Sequence, residues 1–131
     1  MARPTFTGSR RPVALRGMFW FIDRWRQSQA FMDLTIEEQG AYRNLLDEAW
    51  LRGGGIPNDP ALLAKASGDP IRWKFIRKNV LRYFENDRGT LRNRTLTTVR
   101  RESQMRAERQ RNYREKHNAH HNGHHNADHN E

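Results

Sequence analysis

The sequence predicts a mainly helical domain with a small β-hairpin wing, the layout of a winged helix-turn-helix, followed by a projecting C-terminal helix and flanked by disordered tails. Three observations carry this fold class. Residues 34–59, LTIEEQGAYRNLLDEAWLRGGGIPND, open on a helix-start signal, run apolar at helical spacing, and stop at three glycines and a proline. Asp59-Pro60 and Asp69-Pro70 then give the same start signal twice, on either side of a Ser67-Gly68 turn. Residues 82–96, RYFENDRGTLRNRTL, hold turn residues between two short stretches that alternate.

Residues 1–17 form no apolar pattern and are expected to be a flexible N-terminal segment. Met18, Phe19, Trp20, Phe21 and Ile22 make a short apolar run, either a buried strand or a packing arm. Trp25, Phe31, Met32 and Leu34 follow at irregular spacing, which predicts mostly loop wrapped on the core. The winged domain is expected over residues 18–96.

Thr35 with Glu38 three residues on is a capping box, in which two free backbone donors at a helix start are satisfied reciprocally. Tyr42, Leu45, Leu46, Ala49 and Trp50 step along one face of a helix over about 35–52. Gly53, Gly54 and Gly55 end it, and Pro57 prevents its restart. Gly40, inside the helix, is expected to permit close helix packing. Asp59 as N-cap and proline at the first helical position suit a second helix that stops at Gly68, and Asp69-Pro70 starts a third over about 70–82. Helix, tight turn, helix is a candidate helix-turn-helix.

The third helix has two faces. At about 100° per residue, Trp73, Ile76 and Val80 share one side, while Lys74, Lys78 and Arg82 recur on the other with Arg77 on the flank. In the hairpin, Gly89 favours the turn, and Arg88, Arg92 and Arg94 put positive charge at the tip and the returning strand. Residues 97–116 contain good helix formers but few apolar ones, so a basic helix that buries little is expected. Residues 117–131, HNAHHNGHHNADHNE, are a degenerate repeat holding all six histidines, which predicts a disordered tail.

The charge is unevenly spread. The net charge is +9, and residues 69–116 alone carry fifteen Lys/Arg against six Asp/Glu, also +9. Residues 1–68 carry +2 and residues 117–131 carry −2. Basicity confined to the second half points to a polyanionic partner. There is no cysteine, which excludes disulfides and thiolate zinc sites and suits a reducing compartment. No apolar run reaches the roughly 18 residues of a membrane span. A cytoplasmic protein without a membrane partner is expected.

Catalysis has few candidates. Glu37/Glu38 and Asp47/Glu48 are adjacent carboxylate pairs, but neighbours on a helix point about 100° apart and do not converge on a substrate. The three glycines lack the strand and the Lys-Ser/Thr of a phosphate loop, so they read as a helix stop. The histidines of the tail have metal-ligand spacing but nothing to orient them, so they read as a spacer. No enzyme, cofactor, metal site or small-molecule substrate is expected.

The residues also resemble a known family. Leu34, Thr35, Glu37, Glu38, Gly40, Ala41, Tyr42, Leu45, Leu46, Trp50, Gly53, Gly54, Pro57 and Asp59 follow the hallmark of the domain of unknown function numbered 1376. Trp73, Val80, Phe84, Gly89, Leu91, Asn93 and Arg94 resemble its later part, so that the likeness covers about residues 19–100. Ile22 stands where the family commonly has glycine, and Ile56 where it has leucine. The resemblance implies a winged-helix-like domain, often found in prophages and near replication genes, and it brings no catalytic residues.

Two functions are therefore expected in competition. The first is a non-catalytic module that binds duplex DNA in replication initiation or its regulation, through Arg72, Lys74, Arg77, Lys78, Arg82, Arg88, Arg92 and Arg94. A helicase or its loader is the replication protein it could work with. The second is an adaptor whose winged domain and basic C-terminal arm bind another protein.

Overall fold

The computed structural model describes the backbone of residues 15–129 and the side chains of residues 15–119. The expectation for the N-terminal segment falls almost entirely outside these residues. The described residues belong to two compact units, one of Arg16–Arg101 and the other of the residues beyond Arg101 with Leu15.

In the first unit, α1 (Ile22–Arg26) and α2 (Gln29–Asp33) come before the long helix α3 (Ile36–Leu51). β1 (Ile56–Pro57), α4 (Pro60–Ala66) and α5 (Pro70–Leu81) follow, then β2 (Glu85–Asp87), β3 (Thr90–Arg92) and the start of α6 (Arg94–His129). The fold is mainly helical with a three-stranded antiparallel sheet in the order β1-β3-β2.

Each helix starts where its local chemistry directs. Thr35 caps α3: the Glu38 N–H donates to its hydroxyl at 3.2 Å and the Thr35 N–H donates to the Glu38 carboxylate at 2.9 Å, closing the capping box. Asp59 caps α4 and Asp69 caps α5, each followed by proline at the first position. α3 ends in a Schellman turn, with the Gly53 N–H on the Trp50 carbonyl and the Gly54 N–H on the Ala49 carbonyl. Gly53, just past the cap, takes the positive φ that this turn requires, and Gly54 is at positive φ as well. Arg100 completes this end, donating to the Trp50 carbonyl at 3.1 Å with its guanidinium over the Trp50 ring.

The core lies where the stripes meet. Tyr42, Leu45, Leu46, Ala49 and Trp50 of α3 are buried together with Leu63, with Trp73, Ile76 and Val80 of α5, and with Ile56, Phe84 and Leu91 of the sheet region. Leu96 and Val99 of α6 are buried as well.

The structure departs from the sequence reading in five places. Residues 18–34 are not mostly loop: they form α1 and α2, helices of five residues that are too short to show a period. Phe19 and Ile22 are largely exposed, so this stretch is not a buried strand. It is an arm laid on α3, with Trp25 stacked on Tyr42 at 5.7 Å and the Arg43 guanidinium 3.6 Å from the Trp20 ring.

Ile56-Pro57 is a strand that pairs with Leu91 and Thr90. Two residues cannot reveal alternation, and proline is tolerated there because β1 is an edge. The hairpin ends at Arg92 and not at residue 96, because Asn93 caps α6 by accepting the Leu96 N–H at 3.0 Å. Leu96 and Arg94 are thus helical, and Arg94 does not belong to the wing.

α6 also begins before residue 97 and continues to His129, through much of the expected tail. Residues 117–129 are mostly His and Asn, which are weak helix formers, so local propensity does not account for this continuation. In the second unit, Tyr113 and His117 stack one turn apart at 5.9 Å, as a regular helix allows. Finally, a Cβ on Gly40 would meet nothing within 4 Å, so close packing is not its reason, and nothing else in the structure explains it.

Candidate nucleic-acid interface

The turn between α4 and α5 is held from outside. Gly68 has φ +97, and the Asn44 side chain of α3 donates to the Ser67 carbonyl at 2.8 Å. A Cβ on Gly68 would lie 2.7 Å from that Asn44 amide, so a larger residue would strain the backbone and displace the Asn44 side chain from the turn. α5 leaves this turn with its N-terminus closed, since the Asp69 carboxylate accepts from the Ile71 and Arg72 N–H groups at 3.1 Å each. The backbone donors there are occupied, and any ligand of α5 must be met by side chains.

One flank of α5 is tied to α3. Arg72 makes a two-point pair with Glu37, at 2.7 and 3.1 Å, and Asn79 donates to Glu38 at 2.6 Å. The bond from Arg72 holds the Glu37 carboxyl below its ordinary range and raises Arg72 in turn. For Glu38, burial alone would raise the carboxyl. Hydrogen bonds from the Thr35 backbone, Asn79 and the Thr35 hydroxyl outweigh it, and the net shift is downward. Both members of the first acidic pair are thus occupied structurally, and Glu48 pairs with Arg52 at 3.1 Å.

The outer face of α5 is exposed. Lys74 and Lys78 lie on it as the helical wheel predicts, Arg82 continues the line at the C-cap, and Arg77 is exposed on the flank. None of these four has a carboxylate within ion-pair distance among the described residues. Asp33 lies near Arg82, and its carboxyl sits below its ordinary range mainly through hydrogen bonds from Gln29 and Tyr83.

The hairpin turns through Arg88 and Gly89, both at positive φ (53 and 85), which matches the right-handed twist of the strands. Arg88 is exposed at the tip and has no carboxylate partner among the described residues. Arg92 pairs with Asp87 at 3.2 Å, and Arg94 lies 3.8 Å from Glu85.

The eight cations singled out from the sequence therefore divide. Lys74, Arg77, Lys78, Arg82 and Arg88 are unpaired among the described residues, and Arg72, Arg92 and Arg94 face acids. Ile71 and Phe75, which carry no role expected from the sequence, are 75% and 64% exposed amid the cations. Their wheel positions, opposite Trp73 and Ile76, are the signal that could have found them. Lys74 and Arg72 approach the Phe75 ring at 5.0 and 5.5 Å.

A small cavity of about 50 Å³ lies elsewhere, under the N-terminal arm, lined mainly by Trp20, Trp25, Tyr42, Leu46, Leu96 and Val99. Among the described residues, no three His, Cys, Asp or Glu side chains group closely enough to hold a metal, and no helix is long and apolar enough to cross a membrane. The side chains of most tail histidines lie outside the described residues. No curated protein and no solved structure matches the chain. Residues 20–100, which include the whole turn, α5 and the hairpin, match the model of the family described as protein of unknown function (DUF1376), and the chain belongs to that family.

Proposed function

We propose that this protein is a non-catalytic module that binds duplex DNA, with α5 entering the major groove and the hairpin reaching the flanking backbone. The observation that carries the reading is the outer face of α5. Lys74, Lys78 and Arg82 line it without carboxylate partners among the described residues, on the second helix of a helix-turn-helix. Cations on such a face gain by releasing the counterions of the phosphates they contact. The opposite face of α5 packs on α3 through Trp73, Ile76 and Val80, which leaves the cationic face turned to solvent. A role in replication initiation or its regulation in a phage or prophage, with a helicase or loader as companion, follows from the family resemblance alone.

A second reading has its own support. Exposed Ile71 and Phe75 suit a protein partner, with this domain as an adaptor.

The experiment compares two double substitutions of equal charge change. Lys74→Glu with Lys78→Glu reverses the proposed contact face, and Arg24→Glu with Arg26→Glu changes cations on α1. Arg24 and Arg26 lie over the Phe21 and Phe31 rings, so circular dichroism should confirm that both variants are folded. Fluorescence anisotropy on a 20-base-pair duplex at low salt is expected to show a loss of at least about a hundredfold for the first variant and about threefold or less for the second. Equal losses would mean diffuse attraction without a reading face. No loss in either would favour the adaptor.

A further inference from the structure

We propose that Ile71 and Phe75 read the C5-methyl groups of thymine in the major groove, giving the module a preference for A·T-rich duplex. The inference rests on duplex binding by α5 and adds to it the base chemistry that α5 selects.

The two side chains lie one turn apart in the N-terminal half of α5, on its exposed face. In a helix-turn-helix, this half of the second helix is the part that meets base edges. An i, i+4 spacing covers about 6 Å along the helix axis, close to two base-pair steps of roughly 3.4 Å. The thymine methyl is the one apolar group that the major groove displays, and apolar side chains are its natural partners.

The surroundings favour DNA over an apolar protein surface as the occupant. Lys74 and Lys78 flank the pair on the same face, and Arg82 follows one turn later. A partner of Ile71 and Phe75 must therefore satisfy a row of cations within a turn of two apolar groups. A groove floor bordered by two phosphate strands offers both at that spacing. An apolar protein groove would have to desolvate the lysines.

Phe75 is also pre-positioned. Lys74 and Arg72 lie beside its ring at 5.0 and 5.5 Å, and of the two Arg72 is itself held by Glu37 at two points. Arg72 is thus a positioning residue for Phe75, its charge already balanced, and not a phosphate contact. The Asp69 cap carries negative charge at the start of the helix and disfavours a phosphate there, which leaves that end to base edges.

The test uses three 20-base-pair duplexes: alternating dA-dT, alternating dA-dU, which lacks only the methyl groups, and alternating dG-dC. Burying one methyl is worth about fourfold in affinity, so one or two contacts give a dA-dT over dA-dU preference of about four- to fifteenfold. In Ile71→Ala with Phe75→Ala, the preference should fall to unity, while affinity for dG-dC and the far-ultraviolet spectrum stay unchanged. Arg72→Ala exposes the Glu37 charge and should lower affinity for dG-dC and dA-dU alike, and should in addition reduce the dA-dT over dA-dU preference.

Salt-sensitive binding without a methyl preference would overturn this inference and leave duplex binding standing. A preference that persists in the double variant would also overturn it, since DNA shape and not these side chains would then be responsible. No binding to any of the three duplexes would overturn both, and would leave the face to a protein partner.

Discussion

Substituting cations in groups separates those free to meet phosphate from those already paired with a carboxylate. Lys74, Lys78 and Arg82 have no carboxylate partner among the described residues, whereas Arg72, Arg92 and Arg94 face Glu37, Asp87 and Glu85. Converting either trio to alanine removes the same formal charge. A phosphate contact contributes about 0.9 to the slope of log affinity against log salt, so losing the first trio should make the slope shallower by roughly 2.7. Between 50 and 200 mM salt the first variant should then lose about fortyfold less affinity than the parent.

The second trio should change the slope by less than about one, because a paired arginine presents little net charge, and leaving its pair strands a carboxylate beside the phosphate. Its fold should survive, since exposed ion pairs are worth about 0–1 kcal/mol each. The assay is anisotropy titration at five salt concentrations, with circular dichroism as the folding control. Equal slope changes in the two variants would refute the reasoning, because pairing would then make no difference to which cations meet DNA.

Two further outcomes concern the scaffold. Asn93 donates to the Tyr42 hydroxyl at 3.0 Å and the Tyr83 carbonyl at 2.9 Å, and its side-chain oxygen caps α6. Asn93→Ala should therefore cost about 2–4 kcal/mol in urea unfolding, roughly 1 for the cap and the rest for the stranded polar groups, and a loss below about 1 would contradict this role. Glu38 has its pKa lowered in the fold, so its stabilisation is complete above the ordinary value of 4.5 and is lost as pH falls through the lower folded value. Glu38→Gln should be less stable at neutral pH and show a shallower decline below pH 4.5, and an unchanged acid limb would place the pH dependence elsewhere.

The elements legible in the sequence are those whose signals are complete within a few residues. Thr35 and Glu38 are three apart and close a capping box; Asp59-Pro60 and Asp69-Pro70 are single dipeptides; Gly53 and Gly54 end α3 by bonds to carbonyls within five residues. The two faces of α5 follow from its period alone, which is why Trp73, Ile76 and Val80 could be assigned to the core and Lys74, Lys78 and Arg82 to solvent. Hydrogen-bond geometry at a helix end depends on chain neighbours, so it survives without tertiary information.

What only the tertiary structure decided involves partners far apart in sequence. Arg72 reads as one more cation of the stripe until α3 brings Glu37, thirty-five residues away, into contact. Asn93 reads as a strand residue until Tyr42, fifty-one residues away, meets its amide and the Leu96 N–H meets its oxygen. Ile56 and Pro57 become a strand only because Leu91 and Thr90 lie beside them. Composition and period place a side chain on a face of its own helix. Which charge is neutralised, and which apolar group is left uncovered as Ile71 and Phe75 are, depends on what the rest of the chain places against that face.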